Sequence, residues 1–234
     1  MRARYLVCVL AVTALVTLGL TAQVSASTLL YDDFLGTGSP PDGTSLDTTK
    51  WTTVTSATFP NAPVVAGSVV TLDKAEMDSI LTVGSGTTTT FKIGAAPSGT
   101  ATTFGLSSGS KAIYVSTEFT GTSWVLATSD NWAAWTTIGV PTPAAGDFYD
   151  IVRQSTSVDL YVNGALKAHA TTNLPNAVVP LPLQMYAYGA SSSQGFDSVK
   201  VSEGVVISTP EPSTLVLLGI GLLSLLAYAW RKRK

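Results

Sequence analysis

The hydrophobic pattern divides the chain into two uncharged apolar runs near its ends and a long alternating middle. The first run extends from Tyr5 to Leu20, and the second covers residues 213–230. Between them, short segments alternate apolar and polar residues, and clusters of Gly, Pro, Ser and Asn separate these segments. Because an alternation of period two gives a strand one buried face, the middle predicts many short strands joined by turns.

Three segments show the alternation most clearly, and each has one apolar set that is predicted to face a core. These sets are Ile113, Val115 and Phe119; Val158, Leu160 and Val162; and Leu183, Met185 and Ala187. Asn163-Gly164 predicts a two-residue type I′ hairpin, since both residues tolerate positive φ. No window of the body repeats with the helical period of 3.6. We therefore predict an all-β sandwich or jelly roll.

The N-terminal run has the features of a secretory signal peptide. Two arginines precede it and small residues follow it. Val24 and Ala26 suit the pockets of a signal peptidase, which predicts a signal peptide over 1–26 with cleavage after Ala26. A membrane helix that is retained is the alternative interpretation. Signal peptidase and the export machinery are the expected partners, and the body, residues 27–206, is expected outside the cytoplasm.

The C-terminal run predicts a transmembrane helix over about 213–230. A helix of that length spans about 27 Å, close to a hydrocarbon core of about 30 Å. Tyr228 and Trp230 lie at its end, where amphipathic rings prefer the headgroup region, and four cations follow at 231–234. The positive-inside rule keeps such a cluster in the cytoplasm. We therefore expect the body to be anchored to the outer face of the inner membrane.

A short motif, Pro210-Glu211-Pro212, stands directly before this run. The motif, the Leu- and Gly-rich run and the basic terminus together resemble the PEP-CTERM sorting signal, and we assign 207–234 to this tail. The resemblance implies recognition by an exosortase, removal of the tail, and transfer to the cell surface or extracellular matrix. The two prolines hold the backbone extended, which leaves an accessible strip for a processing enzyme. An ordinary permanent anchor is the alternative.

Composition narrows the classes of partner. The segment 27–209 carries 7 Lys and Arg against 14 Asp and Glu. Nucleic acid is therefore not an expected partner, because phosphate binding requires clustered cations. The single cysteine, Cys8, lies in the predicted signal peptide, so no disulfide is expected in the mature body.

Several pieces of the body resemble concanavalin A-like lectin/glucanase domains. They are Asp33-Phe34, the step Leu46-Asp47-x-x-Lys50-Trp51, the strand at 67–72, the strand–hairpin–strand core at 147–170 and the closing strand at 196–202. The resemblance implies a jelly-roll sandwich of the concanavalin A type. It also implies a possible structural Ca²⁺, for which Asp197 and the Gly67 carbonyl are the matching positions. No other cofactor is expected.

An acidic pair within this body matches part of the family-16 glycoside hydrolase fingerprint, Glu-x-Asp followed two or three residues later by a second Glu. Glu76 and Asp78 match its first two acids, but Ile80 and Leu81 stand at the positions for the last. Neither side chain can donate a proton to a leaving oxygen. The pair is therefore expected to be a polar strand face or loop, and the body is expected not to be an enzyme.

Aromatic residues provide candidate glycan contacts. Trp132 and Trp135 lie close together in the sequence, and Tyr186 and Tyr188 share one strand face. Sugars stack their apolar faces on such rings, so these four residues predict binding of exopolysaccharide. The main expectation is a non-enzymatic surface or matrix protein. The alternatives are a family-16-like glycoside hydrolase or lyase, and a purely structural or adhesive surface protein. The only histidine, His169, is expected to face solvent.

The tail generates the first prediction. Replacing Glu211 or deleting residues 231–234 should leave the protein at the inner membrane, because the sorting enzyme then lacks part of its recognition signal. Cell fractionation and mass spectrometry of the mature C-terminus would measure this. Unchanged release of the body would contradict the sorting interpretation.

Overall fold

The computed structural model describes residues 26–35, 46–188 and 192–208, which form fifteen strands in two sheets. The strands are β1 (Thr28–Asp32), β2 (Trp51–Val54), β3 (Val64–Ala66), β4 (Val69–Asp73), β5 (Ala75–Val83), β6 (Thr87–Ser98), β7 (Thr102–Ser108), β8 (Lys111–Ser116), β9 (Val125–Ser129), β10 (Thr136–Gly139), β11 (Phe148–Arg153), β12 (Val158–Val162), β13 (Ala165–Ala170), β14 (Leu181–Ala187) and β15 (Ser193–Glu203).

One sheet has eight strands and the other has seven. The eight-stranded sheet has the order β13-β12-β11-β6-β15-β4-β3, with β1 also paired to β15. The seven-stranded sheet has the order β10-β9-β8-β7-β14-β5-β2. Strand pairs in both sheets are antiparallel. Consecutive strands lie in different sheets at eight places, namely β1 to β2, β2 to β3, β4 to β5, β5 to β6, β6 to β7, β10 to β11, β13 to β14 and β14 to β15. The predicted all-β sandwich is therefore confirmed.

The predictions for the two ends fall almost entirely outside the described residues. These are the signal peptide before Ala26, the sorting motif Pro210-Glu211-Pro212, the span at 213–230 and the basic terminus. Ala26 is the first described residue. In the part of the chain that the structure describes, no helix is both long and apolar enough to cross a membrane.

The alternating segments fold largely as predicted. Two of the three inward sets are buried in the core between the sheets, namely Val158, Leu160 and Val162, and Leu183, Met185 and Ala187. In the third set, Ile113 and Val115 are buried there, but the prediction for Phe119 is wrong. Strand β8 ends at Ser116, and the chain then turns. The turn carries Phe119 to the opposite face, where its ring centroid lies 4.4 Å from that of Trp135.

The predicted hairpin at Asn163-Gly164 is also confirmed. The two residues have φ values of 51° and 83°, and Val162 pairs directly with Ala165. The Asn163 side chain has a further role, since its Oδ1 accepts a hydrogen bond of 3.0 Å from the N–H of Phe148 on the adjacent strand. The turn residue therefore also ties the hairpin to β11.

The core between the sheets is organised around Phe104. Its ring centroid lies 5.0 Å from that of Phe91, 5.5 Å from those of Phe196 and Tyr149, and 5.9 Å from that of Trp124. Phe104 belongs to the seven-stranded sheet, whereas Phe91, Phe196 and Tyr149 belong to the eight-stranded sheet. Tilted and edge-to-face pairs at these distances stabilise beyond the apolar area that they bury. Phe104 is therefore the main contact between the two layers.

Truncating this ring should be strongly destabilising. Phe104→Ala should lower the free energy of unfolding by about 3–5 kcal/mol, because it removes a buried ring and leaves a cavity. Urea unfolding of the purified body, followed by far-UV circular dichroism, would measure the loss. Val178→Ala is the matched control, since Val178 is 83% exposed and its truncation should change stability by no more than about 0.5 kcal/mol. Equal effects of the two changes would contradict this account of the core.

Candidate active site

The candidate site lies on the face of the seven-stranded sheet that points away from the core, which we call the cleft face. Glu76 and Asp78 both project from β5 onto this face, because Met77 between them is fully buried in the core. The alternation of a strand thus places the two carboxyl groups side by side. The structure puts the acidic pair on a strand rather than in a loop.

The neighbouring strands add polar and aromatic groups to the same face. Asp78 stands opposite Gln184 on β14, Gln184 opposite Gly105 on β7, and Gly105 opposite Tyr114 on β8. A Cβ atom at Gly105 would lie 2.0 Å from the carbonyl oxygen of Ile113, so only glycine fits there. The missing side chain leaves this row open, and Tyr114 reaches across it to Gln184.

Gln184 connects the carboxyl groups to the aromatic side of the cleft. Its Nε2 donates to Oε1 of Glu76 over 2.7 Å, and its Oε1 accepts a hydrogen bond from the hydroxyl of Tyr114. Both halves of the amide are therefore used, which fixes its orientation. Gln184 therefore orients the Glu76 carboxyl group, and Tyr114 in turn orients Gln184.

A third carboxyl group, Glu118, faces the same cleft from the segment after β8. It accepts hydrogen bonds of 2.6 Å from the hydroxyls of both Tyr186 and Tyr188. The sequence analysis did not single out Glu118. No motif marks it, and it lies in the turn after β8, where the alternation of the strand no longer applies.

The four predicted glycan contacts lie on this face, with different exposures. Trp132 is 51% exposed and lines the cleft, as do Tyr186 and Tyr188. Tyr186 is buried, and its hydroxyl is occupied by Glu118. Trp135 packs edge-to-face against Trp132, with ring centroids 5.6 Å apart, and stacks on Tyr114. The structure thus brings the four residues together, and their binding of a glycan stays a prediction.

The cleft has a volume of about 590 Å³, and its lining is part aromatic and part acidic. Phe59 contributes to the aromatic part, with its ring centroid 5.7 Å from that of Tyr186. Ser107, Ser108 and Pro182 also line the cleft. The volume lies within the range that ligand pockets usually have.

Burial raises the pKa of both carboxyl groups of β5. Burial, with the charge of Asp78 adding to it, raises the pKa of Glu76 from 4.5 to about 7, although the hydrogen bond from Gln184 opposes the shift. Burial also raises the pKa of Asp78. Oδ1 of Asp78 is buried without a hydrogen-bond partner among the described residues. Glu76 can therefore hold a proton close to neutral pH, as a general acid must.

The tyrosine hydroxyls of the cleft remain protonated. Burial raises the pKa of Tyr114 and of Tyr186, and the nearby carboxylates raise both further. Burial and Glu118 together raise the pKa of Tyr188 to about 12. These hydroxyls are therefore hydrogen-bond donors at neutral pH, and those of Tyr186 and Tyr188 hold the Glu118 carboxyl group in position.

The position expected for a third acid on β5 is occupied by Ile80, which is 53% exposed. The pairing with β14 shifts register between Asp78 and Thr82. Ser79 stabilises this irregular stretch, since its Oγ donates to the carbonyl of Leu81 and accepts from the N–H of Leu183. The strand itself therefore supplies two carboxyl groups and no third.

The other predicted or noted residues lie elsewhere. Asp197 forms an ion pair with Lys92, and Gly67 lies in the turn between β3 and β4. Among the described residues, no group of three or more His, Cys, Asp and Glu side chains could hold a metal ion. The calcium hypothesis stays a prediction. The His169 side chain is 55% exposed and pairs with Asp159 on the eight-stranded sheet, away from the cleft.

Comparison with known proteins identifies the tail and the fold separately. The family model for the PEP-CTERM protein-sorting motif matches residues 208–234. The chain therefore carries the predicted sorting signal, which implies export and exosortase-dependent sorting to the cell surface. No curated protein matches the chain by sequence.

The body is similar to solved structures of glycoside hydrolases. A glycosyl hydrolase family protein from Mycobacterium fortuitum is 14% identical, with a TM-score of 0.59, and the match covers 75% of this chain and 100% of that chain. A structure reported for endo-acting O-glycanases of the human gut microbiota that initiate mucin breakdown is 13% identical, with a TM-score of 0.61 and coverages of 76% and 100%. The β-glucanase of Bacillus licheniformis is 15% identical, with a TM-score of 0.53 and coverages of 76% and 99%.

These similarities confirm the predicted concanavalin A-like jelly roll of the glucanase type. They contradict the expectation that the body is not an enzyme, because the proteins that share its fold include glycoside hydrolases and glucanases. That expectation depended on the missing third acid of β5. It considered one strand only, whereas the cleft also receives Glu118 from a different part of the sheet.

The environment of Glu76 generates a prediction about pH. The folded state binds the Glu76 proton more tightly than the unfolded state, so this contribution to stability is complete below about pH 4.5 and is lost as the pH rises through about 7. The melting temperature of the parent should therefore fall relative to that of Glu76→Gln across this range. Calorimetry of both proteins at pH 4 to 8 would measure the difference.

The control for this experiment is Asp78→Asn. Removing the neighbouring charge should lower the pKa of Glu76 and move the fall in melting temperature to lower pH. Parallel pH profiles for the parent and Glu76→Gln would show that Glu76 has no raised pKa.

Proposed function

We propose that this protein is a surface-sorted glycoside hydrolase that cleaves a neutral polysaccharide bound in the cleft. The observation that carries the proposal is the convergence of Glu76, Asp78 and Glu118 in one cleft that has aromatic walls. Glycoside hydrolysis requires two carboxyl groups on opposite sides of the scissile bond. The sorting signal directs such an activity to the outside of the cell.

Glu76 is the proposed general acid. It is buried, its pKa is raised to about 7, and Gln184 fixes its carboxyl group. In the reaction its proton passes to the glycosidic oxygen as the bond between that oxygen and the anomeric carbon breaks. Asp78 favours the protonated form through its adjacent charge.

Glu118 is the proposed second carboxylate. Two tyrosine hydroxyls donate to its two carboxyl oxygens and so fix the orientation of the group in the cleft. As a base it accepts a proton from the attacking water, whose oxygen bonds to the anomeric carbon. As a nucleophile it bonds to that carbon directly, and water then hydrolyses the intermediate. The anomeric configuration of the first product distinguishes these two courses.

The lining of the cleft indicates the class of glycan. Trp132 and Tyr188 offer partly exposed rings on which the apolar face of a sugar can stack. Among the described residues, the lining of the cleft includes acidic groups and no Lys or Arg, so the uronate or sulfate groups of a polyanion would find no cation there. A neutral polysaccharide therefore fits better than an acidic one.

Activity measurements test the proposal. The purified body should release oligosaccharides from a panel of neutral β-glucans and other neutral glycans, and far less from a polyuronate. Glu76→Gln should lower kcat about 10²–10⁴-fold while leaving binding of the polysaccharide unchanged. Activity should decline above about pH 7, as Glu76 loses its proton. Reducing-end assays and affinity electrophoresis would provide the two readouts.

Trp132→Ala is the matched binding control, because its ring lines the cleft without contributing to proton transfer. It should raise KM while kcat stays close to that of the parent. No turnover of any neutral glycan by the parent, or full activity of Glu76→Gln, would overturn the proposal.

A further inference from the structure

The chain leaves the sandwich across the sheet opposite to the cleft. After β15 ends at Glu203, residues 204–208, which we call the strap, return over the eight-stranded sheet. The N–H of Gly204 donates to the carbonyl of Gly86 over 2.7 Å, and the N–H of Val206 donates to Oγ1 of Thr88 over 2.9 Å. The N–H of Ser208 donates to Oδ2 of Asp150 over 2.6 Å. The strap is therefore attached at its beginning, middle and end.

Asp150 provides the attachment at the end of the strap. The residue is fully buried, and its two oxygens have separate partners. Oδ1 accepts a hydrogen bond of 2.5 Å from the hydroxyl of Thr90 on the adjacent strand, and Oδ2 accepts a hydrogen bond from the N–H of Ser208. Burial raises the pKa of Asp150, whereas the bonds from Thr90 and Ser208 lower it. A buried carboxyl group is costly unless such bonds satisfy it, so the strap completes this site.

The strap ends over the middle of the sheet rather than at an edge. Thr90 and Asp150 are direct partners on β6 and β11. Both point outward, because Phe91 and Tyr149, which follow and precede them, lie in the core. Two strands, β12 and β13, separate this point from one edge, and three, β15, β4 and β3, separate it from the other.

The distance that the remaining chain can reach limits how the body can be oriented. Four residues lie between Ser208 and Ser213, where the predicted span starts, and the five steps from one Cα atom to the next cover at most about 18 Å when the chain is fully extended. Strands lie about 4.8 Å apart and packed sheets about 10 Å apart. A path from the middle of the eight-stranded sheet, around the nearer edge and onto the cleft face, is therefore at least about 20 Å long.

From this limit we infer that the outer face of the eight-stranded sheet faces the membrane while the chain is anchored, and that the cleft opens away from it. The inference depends on the span predicted at 213–230 and is independent of the reaction proposed for the cleft. It gives the strap a function, which is to set which side of the body is presented to the lipid surface. A polymer outside the cell then has access to the cleft before the tail is processed.

Site-specific quenching tests this orientation. The full chain carrying Cys8→Ser is reconstituted in vesicles of phosphatidylethanolamine and phosphatidylglycerol that contain a lipid with a spin-labelled headgroup. A single cysteine is placed at His169→Cys, on the outer face of the eight-stranded sheet, or at Ser108→Cys, on the rim of the cleft, and is labelled with a fluorophore. Both positions are exposed. Quenching at position 169 should exceed that at position 108 at least twofold.

Releasing the strap provides the second arm of the test. Thr88→Val removes the hydroxyl that accepts the hydrogen bond from the N–H of Val206 and changes the shape of the side chain little. Ser208→Pro removes the N–H that donates a hydrogen bond to Asp150. The double variant lengthens the free tether, so the difference between the two positions should decrease by more than half. Circular dichroism would verify that this variant remains folded.

Three results would overturn the inference. The first is equal quenching at the two positions, or stronger quenching at 108, in the parent chain. The second is a difference that persists unchanged in a folded, strap-released variant. The third is failure of the chain to float with the vesicles, which would remove the anchor on which the inference depends. None of these results bears on whether the cleft hydrolyses a glycan.

Discussion

The packing of the Phe104 ring between the two sheets is the contact on which the rest of the molecule depends. The ring meets Phe91, Phe196 and Tyr149 across the core, so the strand that bears it cannot shift by one residue without exposing it. The same constraint fixes the next residue, Gly105, on the cleft face. There the absence of a side chain lets Tyr114 reach Gln184 and, through it, the carboxyl of Glu76. The register of β7 therefore determines both the packing of the core and the arrangement of side chains in the cleft.

The chemistry of the cleft depends on the different environments of two carboxyl groups, those of Glu76 and Glu118. Glu76 lies against buried surface and beside another acid, which favours its protonated form. Glu118 accepts hydrogen bonds from two phenol hydroxyls, so different partners hold its carboxyl group. Two carboxyl groups in different environments of one cleft are the arrangement that acid-assisted cleavage of a glycosidic bond requires. The difference comes from neighbours on β5 and β14 and from Tyr188 just after β14, and not from the residues themselves.

The two outer faces of the sandwich have different roles. The seven-stranded sheet exposes a polar and aromatic cleft, whereas the eight-stranded sheet is crossed by the chain on its way to the sorting signal. These two faces lie on opposite sides of the sandwich, so the full thickness of both sheets lies between them. The attachment of a short tail to one face therefore constrains the direction of the other, and the fold couples the sorting signal to the presentation of the cleft.

The sequence by itself determined the all-β class, the sorting signal, the Asn163-Gly164 hairpin and most inward-facing residues, because each depends on local periodicity or on a contiguous motif. It placed Phe119 on the wrong face, because the strand ends at Ser116 and alternation cannot be read through a turn. It also led to the expectation that the body is not an enzyme, which the likeness to glycoside hydrolases contradicts, since only the acids of β5 were considered. Only the tertiary structure brought Gln184 to Glu76, Glu118 to the tyrosines of the same cleft, and the strap to Asp150. Those contacts join residues far apart in sequence, and pairing across strands, which no local pattern encodes, decides them.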